Sequence, residues 1–393
     1  MQIAERLSQI EPSLTLAINA RAQELRAQGV AVTSLAVGEP DFPTPAHIKE
    51  AAKAAIDANF TRYTAVAGIP ELRRAAGRFF ERHYATPVAP ESIIIGAGGK
   101  QCLYTLIQTL INPGDEVLIP APYWVSYPDM VRLAGGVPVF VHAGAAQGFK
   151  VTPLMLENAV TEKTRMLILN TPSNPTGAVY GDREFMQIMR WALMRNIFVL
   201  SDEIYDQLVY EPAQMTSAIT WFANCPELVA VANGLAKSYA MTGWRVGFLA
   251  AHPEIIKKMT MLQGHSLSNV CSVAQKAALA ALTGPDDCVI EMREAFRRRR
   301  DLSTDIVGAW PGAVCPRPDG AFYLFVDVSA LYGGEIRDST AMCAHLLDEA
   351  HVALVPGAAF GDDNCIRLSY AVADDVLADA LSRVGEALAK LAR

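Results

Sequence analysis

Residues 165–205 read RMLILNTPSNPTGAVYGDREFMQIMRWALMRNIFVLSDEIY. Two short apolar runs, 165–170 and 197–201, flank a turn-rich stretch and an amphipathic segment over 182–195. Runs of this length, rich in β-branched residues and bounded by Gly, Pro, Asp or Asn, predict strands. The segment between them predicts a helix, so the unit reads strand–helix–strand. The same alternation continues outward. Strands are expected at 92–95, 116–119, 137–141, 228–232 and 245–250, and helices at 99–111, 123–134 and 253–263. Such alternation predicts an α/β domain with a mainly parallel sheet. The near-continuous apolar character of the strands fits a sheet covered on both faces.

After Pro285 the pattern changes. A long helix (286–307) is followed by a strand-like 321–328, a helix (338–350), short strands at 352–355 and 364–369, and a last helix (374–391). This predicts a smaller α+β domain. An N-terminal helix over 14–28 stops at Gly29 and is expected to pack on it.

The 393 residues are 51% hydrophobic and 19% charged, enough for a sizeable core. The net charge of −7 speaks against nucleic acid as the main partner, because phosphate binding needs a basic face. The one dense basic run, Arg297 to Arg300, reads as the solvated face of a helix. The seven cysteines lie 17 or more residues apart with no C-x-x-C, which fits free thiols in a reducing compartment. No H-E-x-x-H motif suggests a metal. The N-terminal segment has no apolar h-region and no stretch reads as a membrane span, so the expected location is cytoplasmic.

Several segments carry chemistry. Lys237, in VANGLAKSYAMTGWRVGF, stands in apolar sequence where an ammonium is costly. It is either a lysine held neutral as a Schiff-base nucleophile or one snorkelling at a strand end. Asp202 in SDEIY ends a strand, where open α/β sheets bind ligands, with Tyr205 three residues on. A carboxylate there would keep a pyridine nitrogen protonated; a helix cap is the simpler alternative. Asn174 sits in NPTG after another strand, as a ring-oxygen ligand or part of an ordinary turn. GAGGKQ (96–101) opens a helix with glycines, as a phosphate cradle or a plain turn. It is neither a dinucleotide fingerprint, since Gln101 stands where glycine is needed, nor a Walker A loop, since Ile94 does. Arg245 could clamp a phosphate and Arg367 a substrate carboxylate; either could instead be a surface ion pair.

Taken together, AVGEPDFPTP (36–45), TRYTAVAGIPELR (61–73), GGKQ, PYWVSYPDM (122–130), SNPTGAVY (173–180), SDEIY, NGLAKSYAMTGWRVG, AFYLF and RLSYA resemble the class I/II pyridoxal-phosphate aminotransferases, most closely the bacterial aspartate aminotransferase subgroup. The resemblance implies the fold type I architecture. A large cofactor-binding domain (42–284) would carry a seven-stranded sheet, and 1–41 with 285–393 would form a small domain with an N-terminal arm. It implies pyridoxal 5'-phosphate as cofactor, amino acids and 2-oxo acids as substrates, and a homodimer with shared sites. Lys237 would anchor the cofactor and shuttle a proton, and Asp202 would face the ring nitrogen. Tyr205 and Asn174 would hold the ring oxygen, and Trp124 would stack on the ring. Gly98, Gly99, Lys100 and Arg245 would form the phosphate end, with Tyr63 reaching it across the dimer. Arg367, helped by Asn174 and the backbone of Gly38, would anchor the substrate carboxylate. Pro122 and Pro175 are expected to follow cis peptide bonds. Gly234 stands where the family often has a phosphate-contacting serine, so another donor must replace that hydroxyl.

Lys100 decides the expected substrate. A cation at the far end of the site favours a second carboxylate, which suggests transfer from L-aspartate to 2-oxoglutarate in a ping-pong cycle. Lys100 could instead pair with a local acid. Glu11 stands where prephenate-using members tend to carry a basic residue and would repel that anion. Aromatic, alanine or prephenate specificity, or a lyase on the same scaffold, are the alternatives. A regulator would need a DNA-binding segment, and a nicotinamide dehydrogenase would need the missing fingerprint.

Overall fold

The structure is a computed structural model that describes residues 3–10 and 14–392; Glu11 lies outside the described residues. Apart from the short β1 (Thr33–Ser34), the first strands all join one sheet. These are β2 (Ile93–Gly96), β3 (Glu116–Ala121), β4 (Val137–His142), β5 (Thr164–Asn170), β6 (Phe198–Asp202), β7 (Val229–Gly234) and β8 (Gly247–Ala250). Their spatial order is β2-β8-β7-β6-β5-β3-β4. Only β8 runs against its neighbours, antiparallel to both β2 and β7.

Period-two alternation divides each strand between two cores. Ile93, Ile95, Leu167, Leu169, Val199 and Phe248 enter one, with helices Ala46–Asp57, Pro70–Tyr84, Asp182–Met194 and Ser272–Thr283. Ile94, Met166, Ile168, Leu200 and Leu249 enter the other, under helices Gly99–Leu110, Tyr127–Leu133 and Pro253–Ser266. The sheet is therefore apolar on both faces, as its uninterrupted hydrophobic runs require.

The later part of the chain forms β9 (Tyr323–Asp327), β10 (Val352–Ala353), β11 (Val355–Pro356) and β12 (Cys365–Ser369). β11, β12 and β9 make an antiparallel three-stranded sheet, while β10 pairs in parallel with β1. A separate core joins this sheet to helices Asp287–Val307, Ser339–Ala350 and Asp374–Leu391. The N-terminal helix Leu14–Ala27 sets Ala22 and Leu25 against Leu347 and Ala353, so it packs on this part as expected. No described helix is long and apolar enough to cross a membrane.

Several expectations need correction. The Arg297–Arg300 run is not a solvated face: Arg299 and Arg300 are buried. They fall on the same helical stripe as Met292, Ala295, Phe296, Ser303 and Val307, at spacings of three and four residues. Burial is tolerated because Arg299 binds both oxygens of Asp41 at 2.7 and 2.9 Å and Asp374 at 2.8 Å. Arg300 lies 4.9 Å from the Tyr210 ring centre. The cis bonds precede Pro122, Pro172 and Pro212, not Pro175. Pro175 instead occupies a turn closed by Gly177 N–H on the Ser173 carbonyl at 2.9 Å. The expected strand at 245–250 begins two residues late, because Arg245 is left-handed at φ +54°. Trp124 precedes rather than joins its helix, which starts at Tyr127. Among the described residues, five α-helices went unassigned in the sequence: Ala46–Asp57, Pro70–Tyr84, Ser272–Thr283 and the short Pro153–Glu157 and Ile219–Phe222.

Candidate active site

β5, β6 and β7 end side by side; the last residue of β6, Asp202, and the turns after the three strands, carrying Asn174, Tyr205 and Lys237, meet in one cavity of about 1170 Å³. Gly38, Gly99, Lys100, Trp124, Arg245 and Arg367 line the same cavity. Gly98 lies just outside the lining, as the N-cap of helix Gly99–Leu110. Tyr63 does not line it; this side chain is 92% exposed.

The Lys237 ammonium donates to the Gly38 carbonyl at 2.5 Å. It lies 5.8 and 5.6 Å from the ring centres of Tyr205 and Phe322. Burial lowers its pKa to about 8, with the Glu39 and Asp202 charges opposing the shift and the Arg367 and Arg245 charges adding to it. About a tenth of the lysine is therefore neutral at pH 7, far more than for an ordinary lysine, as a nucleophilic role favours.

Asp202 closes β6 and is buried. The Tyr127 hydroxyl donates to it at 2.6 Å and the Ile204 N–H at 3.3 Å. Burial raises its pKa to about 6, and those two hydrogen bonds and Lys237 limit the rise. The carboxylate therefore persists at neutral pH inside an apolar wall. Beside it, Asn170 donates to the Asp202 carbonyl at 2.9 Å and accepts from the Asn174 N–H at 2.8 Å. The Asn174 side chain then accepts from Arg367 Nη1 at 3.0 Å.

Arg367, on β12, is only 5% exposed. Its Nη2 donates to the Ala36 carbonyl at 2.6 Å, and its Nε is buried with no hydrogen-bond partner. The rings of Tyr323 and Phe360 each lie 4.7 Å from the guanidinium. Burial lowers its pKa, with the Tyr323 and Tyr205 phenols opposing the shift. An uncommitted buried N–H beside a cavity is a donor awaiting an acceptor.

At the start of helix Gly99–Leu110, Gly98 has φ +82°, and a Cβ there would stand 2.6 Å from Arg245 Nη2. Glycine is thus required for the Arg245 guanidinium to lie against the helix N-terminus. Arg245 itself is held by the Thr242 carbonyl at 2.9 Å and reaches the Ala97 carbonyl at 3.4 Å. Gln101 fixes the same turn by accepting the Ala97 N–H at 3.0 Å. Exposed N–H groups of a helix start beside an arginine form an anion cradle. Lys100 is exposed at the cavity rim, its Nζ 4.9 Å from the Trp124 ring centre. Partial burial and the Arg245 charge lower its pKa. At Gly234, a Cβ would meet Ile204 Cδ1 at 2.9 Å and Gly247 Cα at 3.2 Å, so a side chain there would require Ile204 to shift.

Among the residues at the site that received no role in the sequence reading are two phenols. Tyr127 supports Asp202, and Tyr323 joins its hydroxyl to that of Tyr205 at 2.7 Å. Both lie in segments quoted above, PYWVSYPDM and AFYLF, where an aromatic residue alone looks like core.

Comparison with known proteins agrees with this geometry. Residues 30–384 match the family described as aminotransferase class I and II. The aspartate/prephenate aminotransferase of Cereibacter sphaeroides is 47% identical, over 97% of both chains. The aspartate aminotransferase of Bacillus sp. (strain YM-2) is 44% identical, over 97% of this chain and 98% of its own. The aspartate aminotransferase of Rhizobium meliloti superposes with a TM-score of 0.95 at 39% identity, covering 99% of each chain. That of Thermus thermophilus, solved with maleate, gives 0.92 at 42% identity, covering 98% of this chain and all of the other. With nearly its whole length matched and a site of this composition, the chain belongs to the class I and II aminotransferases.

Proposed function

We propose that this enzyme is an aspartate aminotransferase that moves the amino group of L-aspartate to 2-oxoglutarate with pyridoxal 5'-phosphate. The observation that carries the reading is the convergence of a partly neutral lysine, a buried carboxylate and a buried arginine on one cavity. The names of the relatives and the maleate-bound neighbour point to a dicarboxylic substrate.

The residues present fit the cofactor: Gly98 and Arg245 form a cradle that a side chain would fill, and Asp202 and Lys237 supply an acid and an amine. When bound, pyridoxal phosphate supplies a carbonyl that captures the amino group and a ring that takes up electrons released at the substrate α-carbon. Lys237 would hold it and, once displaced by substrate, carry the α-proton as general base and acid. Asp202 would keep the ring nitrogen protonated, Tyr205 and Asn174 would hold the ring oxygen, and Trp124 would cover the ring face. The helix-start N–H groups of Gly98, Gly99 and Lys100, together with the Arg245 side chain, would bind the phosphate, with Tyr63 contributed by the second subunit of a homodimer. Arg367 would hold the α-carboxylate, and Lys100 the distal one. Residues 42–284 would act as the cofactor-binding domain, and 1–41 with 285–393 as the smaller one.

Initial rates test the scheme. With both substrates varied, double-reciprocal plots should be parallel, as two successive half-reactions demand. Intersecting lines would contradict the scheme.

A further inference from the structure

We propose that Tyr323 is a positioning residue, one that aims the Tyr205 hydroxyl at the cofactor and braces Arg367 for the substrate carboxylate. This rests on the aminotransferase reading above. Tyr323 starts β9 in the three-stranded sheet, whereas Tyr205 follows β6 of the large sheet. Their hydroxyls meet at 2.7 Å, and both side chains are buried at the cavity wall. A phenol has one proton and can also accept. When Tyr205 donates its proton to an acceptor in the cavity, Tyr323 is left to donate to Tyr205. A hydroxyl that accepts one hydrogen bond becomes a stronger donor in the next.

The ring of Tyr323 has a second task. Its centre lies 4.7 Å from the Arg367 guanidinium carbon, the same distance as the ring of Phe360. The two rings crowd the cation that a carboxylate must find. Tyr323 also explains the glycine at 38, since a Cβ there would run into its hydroxyl. That close approach lets the Gly38 carbonyl reach Lys237. One side chain thus touches the neighbourhoods of Tyr205, Arg367 and Lys237. The charged groups facing the pair are Arg367 from β12, Asp202 from β6 and Lys237 from the turn after β7. Glu39 and Arg245 face Lys237.

The test compares wild type, Tyr323→Phe and Tyr323→Leu, each loaded with pyridoxal phosphate. The first readout is the pH midpoint of the visible absorbance of the bound cofactor, which reports how strongly its ring oxygen is held as an anion. The second is the split between KM and kcat for L-aspartate. Tyr323→Phe keeps the ring and loses the hydroxyl. Its midpoint should rise by about half a unit, with KM within about twofold of wild type. Tyr323→Leu loses the ring as well, and KM should rise about tenfold. A Tyr323→Phe midpoint equal to wild type overturns the inference, and so does a Tyr323→Leu enzyme with unchanged KM. A wild-type protein that takes up no pyridoxal phosphate overturns the functional reading itself, and this inference with it.

Discussion

Replacing Lys100 by methionine keeps the aliphatic stem over Trp124 and removes the charge 4.9 Å from the ring centre. If Lys100 reads the distal carboxylate, only substrates with that group lose binding. The size of the loss follows from position. Charged hydrogen bonds net about 1.5–3 kcal/mol when shielded, and exposed pairs less than about 1 kcal/mol. Lys100 stands at the cavity rim, between these limits. An intermediate value near 1.4 kcal/mol corresponds to about a tenfold fall in kcat/KM for L-aspartate. Alanine and phenylalanine, which lack the distal carboxylate, should change by less than about twofold. The assay is kcat/KM for the three amino acids with 2-oxoglutarate saturating. An equal fall for all three would show that Lys100 serves the phosphate or the fold. No fall for aspartate would remove it from substrate recognition.

Arg367→Lys should lower kcat/KM for aspartate and alanine alike, by about a hundredfold, because one ammonium replaces a braced guanidinium; steady-state kinetics with both substrates checks this. Asp202→Asn should cut kcat by about two to three orders of magnitude with little change in Tm, measured by coupled assay and thermal melts. Capture of pyridoxal phosphate by the cofactor-free protein should quicken as pH rises and level off above about 8, where Lys237 becomes mostly neutral. Stopped-flow traces between pH 6.5 and 10 give the profile, and a rate still climbing at pH 10 would mark an ordinary lysine. Glu203 is fully buried among Ser201, Ser217 and the Ala218 N–H, and burial raises its pKa to about 8. Its contribution to stability is full below its ordinary pKa of 4.5 and is lost as pH rises through about 8. Glu203→Gln should therefore gain Tm relative to wild type as pH climbs from 5 to 8, with no further gain above; a constant difference would contradict the burial argument.

The large sheet was legible because its strands must be apolar on both faces, and that leaves uninterrupted runs such as MLIL (166–169) and FVL (198–200). Lys237, Asp202 and Asn174 were legible because each lies at or just after the carboxyl end of a strand, where ligands of open sheets collect. What escaped depends on pairs distant in sequence. Tyr127 meets Asp202 from 75 residues away, and Tyr323 meets Tyr205 from 118. Nothing local distinguishes these phenols from core aromatics. The arginine run misled for the opposite reason. Four adjacent charges look solvated, but a helix sends neighbours in different directions, and Asp41 and Asp374 supply Arg299 with partners the run does not reveal.

The most direct test is one turnover with one substrate. The purified protein is loaded with pyridoxal phosphate and mixed with L-aspartate in the absence of any 2-oxo acid. The visible absorbance of the bound cofactor should bleach, about one equivalent of oxaloacetate should appear per site, and 2-oxoglutarate should restore the colour. A spectrum that ignores aspartate yet bleaches with alanine or phenylalanine would contradict the substrate, and a protein that takes up no chromophore would contradict the enzyme.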